Sequence, residues 1–306
     1  MIRILPILLL ATLSACNGLD AQTREWLGTG PKDKGEALEA LGGPTVGGIN
    51  STMEKQAIEA AQRGEFRRAG QFYKQLADSP KASADDKFRY QLGMAEAARR
   101  GGAPGEALPI YEELARTQPE HLDTQEGYGL ALLQTGKPVE AGRVFAGIMK
   151  EEAKRWRTLN ALGILFVNKN MIPEAMAYFT EALNQSPDNP AVLNNAALAQ
   201  AADQNFARSF ATFEQAIRVS QNEAQRQQIS LNMAMVYGIS GDLETARTIA
   251  AKYLKGPALD NNLGLYAHLA KDDKLARTYL DMALSGSETY YERAWNNLDV
   301  IDAKKD

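Results

Sequence analysis

Apolar residues recur with a helical period in residues 156–190. Leu162 and Phe166 are four positions apart, so they share one face of a first helix. Ala175 and Phe179 repeat that spacing after a polar turn. Each apolar face has to be covered by another element, because a helix cannot bury its own stripe. The pattern predicts two antiparallel helices that pack against each other.

Small and turn-forming residues stand where these two helices need them. Gly163 lets the helix backbones approach closely, and Asn170 tolerates the left-handed conformation of a tight turn. Pro187 ends the second helix, and Asp188 or Asn189 can cap the helix that follows. This order of residues resembles the tetratricopeptide repeat, a helix–turn–helix unit of 34 residues.

The same order of small and aromatic residues recurs along the chain. Upstream copies are Ala57, Gly64, Ala69 and Tyr73, then Ala95, Gly102, Ala107 and Tyr111, then Gly129, Gly136, Ala141 and Phe145. Downstream copies are Ala197, Ser209, Phe213 and Ala216, then Ala234, Gly241 and Ala246, and finally Gly264 and Ala276.

The repeat spacing becomes irregular near the C terminus. It is 37 residues from Asn195 to Asn232 and 30 residues from Asn232 to Asn262. We therefore expect an extended lead-in and a shortened second helix in repeat six, because repeats near the ends of such arrays drift. The predicted fold is all-α: a tetratricopeptide superhelical solenoid of about seven helix pairs, closed by a capping helix near residues 288–303.

An apolar run with one early basic residue occupies residues 1–15 and has the layout of a secretory signal. It is too short to span a bilayer as a mature helix. Leu13-Ser14-Ala15-Cys16 resembles the bacterial lipobox, which implies cleavage before Cys16 and attachment of a diacylglyceryl group to its sulfur. The alternative is an ordinary signal peptide in which Cys16 is incidental. Cys16 is the only cysteine, so its acylation would leave no thiol for a disulfide.

Residues 16–51 differ in composition from the rest of the chain. They are rich in glycine, contain Pro31 and Pro44, and carry no repeat signal. We interpret them as a flexible tether with a reach of roughly 30 Å, from about 5–6 Å times the square root of the residue number. Residues 52–306 are then the solenoid domain.

Charge and motifs argue against several classes of function. The net charge of −4 and a pI near 5.5 disfavour nucleic-acid binding. The two histidines, His121 and His268, lie in different repeats, and no metal-binding or nucleophile motif occurs in the sequence. The acidic pairs that contain Asp86 and Asp272 fit helix capping. We predict a protein without catalytic activity, bound metal or cofactor.

Recognition of another protein remains as the expected function. In tetratricopeptide solenoids the first helix of each pair lines a concave groove. Asn195, Asn232 and Asn262 take the same position in successive repeats, so they can form an amide ladder that pairs with the backbone of an extended peptide. The alternative is that these asparagines only join neighbouring helices. The predicted groove residues are Asn160, Ile164, Asn194, Asn195, Leu198, Asn232, Met235, Asn261, Asn262, Leu265 and His268.

The lipobox, the chain length and the segment from Asn232 to Asn262 together resemble the TadD-like lipoproteins of the tight-adherence (Flp pilus) assembly system. The resemblance implies an assembly factor or pilotin that binds the secretin or another pilus component. Asn17, where an inner-membrane lipoprotein would carry aspartate, favours the periplasmic face of the outer membrane. The alternative is an adaptor that regulates peptidoglycan enzymes. The sequence leaves the oligomeric state open.

Overall fold

The computed structural model describes residues 52–287 and 291–302. The predictions for the signal, for Cys16 and for the tether therefore lie outside the described residues. Within those residues all regular structure is helical, with no strand. The helices are α1 Thr52–Gln62, α2 Phe66–Ala77, α3 Ala84–Arg100, α4 Pro104–Thr117, α5 Leu122–Gln134, α6 Pro138–Glu151, α7 Trp156–Asn168, α8 Ile172–Gln185, α9 Pro190–Ala202, α10 Phe206–Val219, α11 Glu223–Ile239, α12 Leu243–Ala250, α13 Gly256–Leu269, α14 Asp273–Ser285 and α15 Glu292–Asp302.

The described residues divide into two compact units. The N-terminal unit comprises residues 52–166 and 173–192, and the C-terminal unit comprises residues 167–172 together with the described residues from 193 onward.

Helices α1 to α14 form seven successive pairs in the described chain, and α15 follows the last pair. This confirms the predicted all-α class of seven helix pairs with a C-terminal helix. The irregular sixth repeat is also present, because α11 has 17 residues whereas α12 has only 8. Within the described residues the last helix runs from Glu292 to Asp302.

Every turn inside a pair contains one residue in the left-handed conformation. In the turn after α11, the Gly241 N–H donates to the Gly238 carbonyl at 3.0 Å and the Asp242 N–H donates to the Tyr237 carbonyl at 2.9 Å. These two bonds satisfy carbonyls that the helix end leaves open. Asn170 has a φ of 62°, as predicted. The left-handed turn residues are Gly64, Gly102, Gly136, Asn170, Gln204, Gly241 and Lys271.

Aromatic rings of second helices lie against glycines of first helices. A Cβ added at Gly163 would lie 2.4 Å from Cε1 of Phe179, and one at Gly129 would lie 2.6 Å from Cε1 of Phe145. Both rings are buried, as is Ala175. The predicted close approach at Gly163 is therefore present, and any larger residue would push the two helices apart.

Side-chain caps begin several helices, as the acidic and asparagine residues predict. Asp86 completes a capping box with Ser83 at the start of α3. Asp272 accepts a hydrogen bond from the Leu275 N–H at 3.0 Å. Asn189 Oδ1 accepts from the Ala191 N–H at 3.1 Å at the start of α9. These contacts confirm the capping roles of Asp86 and Asp272.

Candidate peptide-binding site

Four amide side chains form a chain of hydrogen bonds in the C-terminal unit. Asn232 Nδ2 on α11 donates to Asn194 Oδ1 on α9 at 3.0 Å. Asn194 Nδ2 lies 3.5 Å from Asn195 Oδ1, and Gln228 Nε2 lies 3.4 Å from Asn232 Oδ1. All three asparagines are buried. The first helices of two successive repeats are therefore joined through their amides.

A second amide pair lies at the end of the same unit. Asn297 Nδ2 on α15 donates to Asn261 Oδ1 on α13 at 2.9 Å. Asn262 is bonded differently, because its Nδ2 donates to the Ala258 carbonyl of its own helix at 2.8 Å. The Tyr266 hydroxyl lies 3.5 Å from Asn262 Oδ1, and burial raises the pKa of that phenol. Tyr266 is thus a neutral hydrogen-bond donor at physiological pH.

The apolar groove residues in this unit lie at different depths. Leu198 and Met235 are buried, whereas Leu265 is half-buried. His268 Nδ1 lies 2.5 Å from Asp273 Oδ1, so this histidine contacts the second helix of its own pair. Its ring is therefore oriented by α14 within the repeat.

Two predicted groove residues, Asn160 and Ile164, belong to the N-terminal unit. Both lie on α7, and both are buried, with 1% and 3% of their surface exposed. They are four residues apart, so they share one face of this helix.

The register of the amide contacts differs by one residue from the repeat alignment. Sequence spacing aligns Asn195 with Asn232, but the bond between repeats runs from Asn232 to Asn194. Asn297 was not predicted to take part. It lies 36 residues after Asn261, close to one repeat length, and this spacing is the signal that could have identified it. Peptide binding at these residues stays a prediction.

Among the described residues there is no cluster of three or more histidine, cysteine, aspartate or glutamate side chains that could hold a metal ion. His121 caps α5 by accepting from the Thr124 N–H at 3.3 Å.

In the described part of the chain, no helix has both the length and the apolar character that crossing a membrane requires.

Comparison with known proteins agrees with the helix pairs. Residues 92–151 and 160–224 match the family model of the tetratricopeptide repeat. A tetratricopeptide repeat protein from Parabacteroides merdae has a similar solved structure, with 15% identity, a TM-score of 0.56, and coverage of 82% of this chain and 97% of that one. The fold is therefore that of a tetratricopeptide-repeat protein.

Two other solved structures share less of the fold. PilF of Pseudomonas aeruginosa is 15% identical with a TM-score of 0.49, over 70% of this chain and 98% of that one. MamA of Desulfovibrio magneticus is 18% identical with a TM-score of 0.43, over 55% of this chain and 93% of that one. Among curated protein sequences none matches this chain. Tetratricopeptide repeats mediate protein–protein interactions and are generally non-catalytic scaffolds.

Proposed function

We propose that this protein is a lipid-anchored tetratricopeptide scaffold that supports assembly of a tight-adherence (Flp) type IVb pilus secretion system. It is held by Cys16 at the periplasmic face of the outer membrane and binds a secretin or another pilus component, without catalysing a reaction. The lipobox, the tether and the segment from Asn232 to Asn262 support this proposal.

The observation that carries the binding role is the amide pair of Asn194 and Asn232, which joins α9 to α11. An amide has two N–H donors and an oxygen with two lone pairs, so a single bond between repeats leaves further capacity. Asn232 uses one donor toward Asn194. Remaining donors and acceptors of this kind can pair with the N–H and C=O groups of an extended peptide without reading its side chains.

The binding role is tested with alanine variants of Asn195 and Asn232. We expect both to weaken binding of the purified secretin. Each variant also removes one hydrogen-bond partner of Asn194, the acceptor of its Nδ2 in Asn195→Ala and the donor to its Oδ1 in Asn232→Ala. Asn184 on α8 is exposed and bonded within its own helix to Glu181, so Asn184→Ala is the matched control. Unchanged affinity in both groove variants with an unchanged far-UV spectrum would contradict the amide ladder.

The assembly role is tested by deleting the gene and probing membrane fractions for the secretin and its heat-resistant multimer. We expect the multimer to be lost or mislocalised. A normal multimer would contradict the pilus role. Co-purification of peptidoglycan hydrolases or synthases would then favour the envelope-adaptor alternative.

A further inference from the structure

Arg157, the second residue of α7, is a largely buried cation that lacks a hydrogen-bond acceptor. Its side chain is 15% exposed, and Nη1 lies 3.8 Å from Oε2 of Glu126, which is beyond hydrogen-bond length. Its Nε is buried and has no hydrogen-bond partner among the described residues. The guanidinium lies over the ring of Trp156, 5.3 Å from the centroid. Because buried donors are normally satisfied, this geometry points to a missing acceptor.

Three other donors bond to the Glu126 carboxylate, and Arg157 Nη1 stays beyond hydrogen-bond length from it. Thr158 Oγ1 donates to Oε1 at 2.8 Å, and Arg155 Nε donates to the same oxygen at 3.3 Å. Arg155 Nη2 donates to Oε2 at 3.2 Å. The Glu126 side chain is 5% exposed, so these contacts fill its surroundings.

Glu96, the other buried carboxylate near Arg157, is engaged in the same way. Arg99 donates to it twice, at 2.6 and 2.9 Å, and the Tyr111 hydroxyl donates at 2.6 Å. Arg157 acts on Glu96 through its charge. The two internal carboxylates are therefore matched with other donors.

Arg157 lies on the same face of α7 as two residues of the predicted groove. Asn160 and Ile164 follow it by three and seven residues, so the three residues share one face of α7. The first turn of α7 contains no acidic residue. A helix N-terminus favours an anion, and here the guanidinium adds to that preference.

We propose that Arg157 binds a side-chain carboxylate of an acidic segment in the partner protein. A carboxylate can accept two parallel N–H bonds from one guanidinium, and the 15% of the Arg157 side chain that is exposed can receive one. This inference rests on the proposed peptide-binding function and names the chemistry of the peptide. A neutral peptide leaves Arg157 without its acceptor and is discriminated against.

Trp156 serves as the reporter of the test because it lies beside the Arg157 guanidinium. Replacing Trp26 and Trp295 with phenylalanine leaves Trp156 as the only one of the three tryptophans in the full chain. A short peptide of alternating glycine and glutamate, blocked at both ends, is the probe. We expect a saturable change in Trp156 emission with this peptide and none with its glutamine counterpart. Arg157→Gln should weaken binding by about tenfold or more, since the hydrogen bonds lost are to a charged group.

Arg116→Gln is the matched control, because Arg116 lies in the same unit with its side chain 71% exposed. It removes the same charge and should leave binding unchanged. Arg157→Lys keeps the charge without the paired donors, so it should bind with intermediate affinity even if Arg157→Gln folds poorly.

Three results would overturn the inference. They are equal binding by Arg157→Gln and the parent protein, no binding of the glutamate peptide, or binding only of a glutamine peptide with a free C-terminal carboxylate. The secretin-multimer assay judges the proposed function separately, because it does not depend on Arg157.

Discussion

Gly163 lies so close to the Phe179 ring that an added methyl group has no room. We predict that Gly163→Ala destabilises the repeat by about 1–3 kcal/mol, because overpacking forces the helices apart or the ring off its rotamer. The measurement is the urea midpoint followed by circular dichroism.

Gly147→Ala provides the control for that prediction. Gly147 lies inside α6, is exposed, and an added Cβ there meets nothing within 4 Å. Alanine should stabilise this helix by up to about 1 kcal/mol, because glycine is the poorer helix former. Stabilisation by both variants would show that helix propensity, and not the Phe179 contact, decides the outcome.

Glu96 is a buried carboxylate whose charge is maintained by its neighbours. Burial alone would raise its pKa, but Arg99, Arg100 and Arg157 outweigh burial and lower the pKa to about 2. Because the folded-state pKa is below the unfolded value of about 4.3, the ion pair adds stability above that value. This contribution is lost as the pH falls from about 5 toward 2.

We predict that Glu96→Gln lowers stability at neutral pH by about 3–5 kcal/mol, because Arg99 is left as an uncompensated buried charge. The variant should also lose less stability than the parent between pH 5 and 2. The measurement is the unfolding free energy as a function of pH. Glu113→Gln removes an exposed carboxylate and should change neither quantity appreciably. If the unfolding free energies of the parent and of Glu96→Gln fell equally between pH 5 and 2, the pKa argument would be contradicted.

At the scale of one element, α15 covers the last helix pair. Ile301 and Leu298 are buried in a cluster that includes Leu280 of α14. We predict that Ile301→Ala costs about 2–5 kcal/mol, the usual effect of truncating a buried aliphatic side chain. The loss should be local, because each repeat in such an array depends mainly on its neighbours. Native-state hydrogen exchange should therefore show faster exchange in α13 to α15, with little change in α1 to α4.

Val300→Ala is the matched control for this element. Val300 is adjacent in sequence but is 54% exposed, so its truncation removes little buried surface. Exchange rates should remain those of the parent. Uniform loss of protection along the chain in Ile301→Ala would contradict a local role for α15.

At the scale of the whole molecule, the proposed anchorage depends on Cys16. In the described residues no helix has the length and apolar character to cross a membrane. We predict that Cys16→Ser moves the protein from the membrane fraction to the soluble fraction and abolishes labelling with radioactive palmitate. Membrane retention without labelling would contradict anchorage through this residue.

Sequence determined the local features of this protein. These features are the helical period around Leu162 and Phe166, a left-handed turn residue such as Asn170, and the irregular repeat spacing after Asn195. They predicted the helix pairs, the turns, and the short α12 that the structure contains. Such features are readable because each depends on residues close together in the chain.

Tertiary structure alone decided which polar side chains meet. Neighbouring residues on a helix point about 100° apart, so the choice between Asn194 and Asn195 as the partner of Asn232 depends on how α9 and α11 pack. The packing of different helices also decides that Arg157 lacks a hydrogen-bond acceptor. It follows from contacts that other donors make with Glu126, which lies on the first helix of the preceding pair.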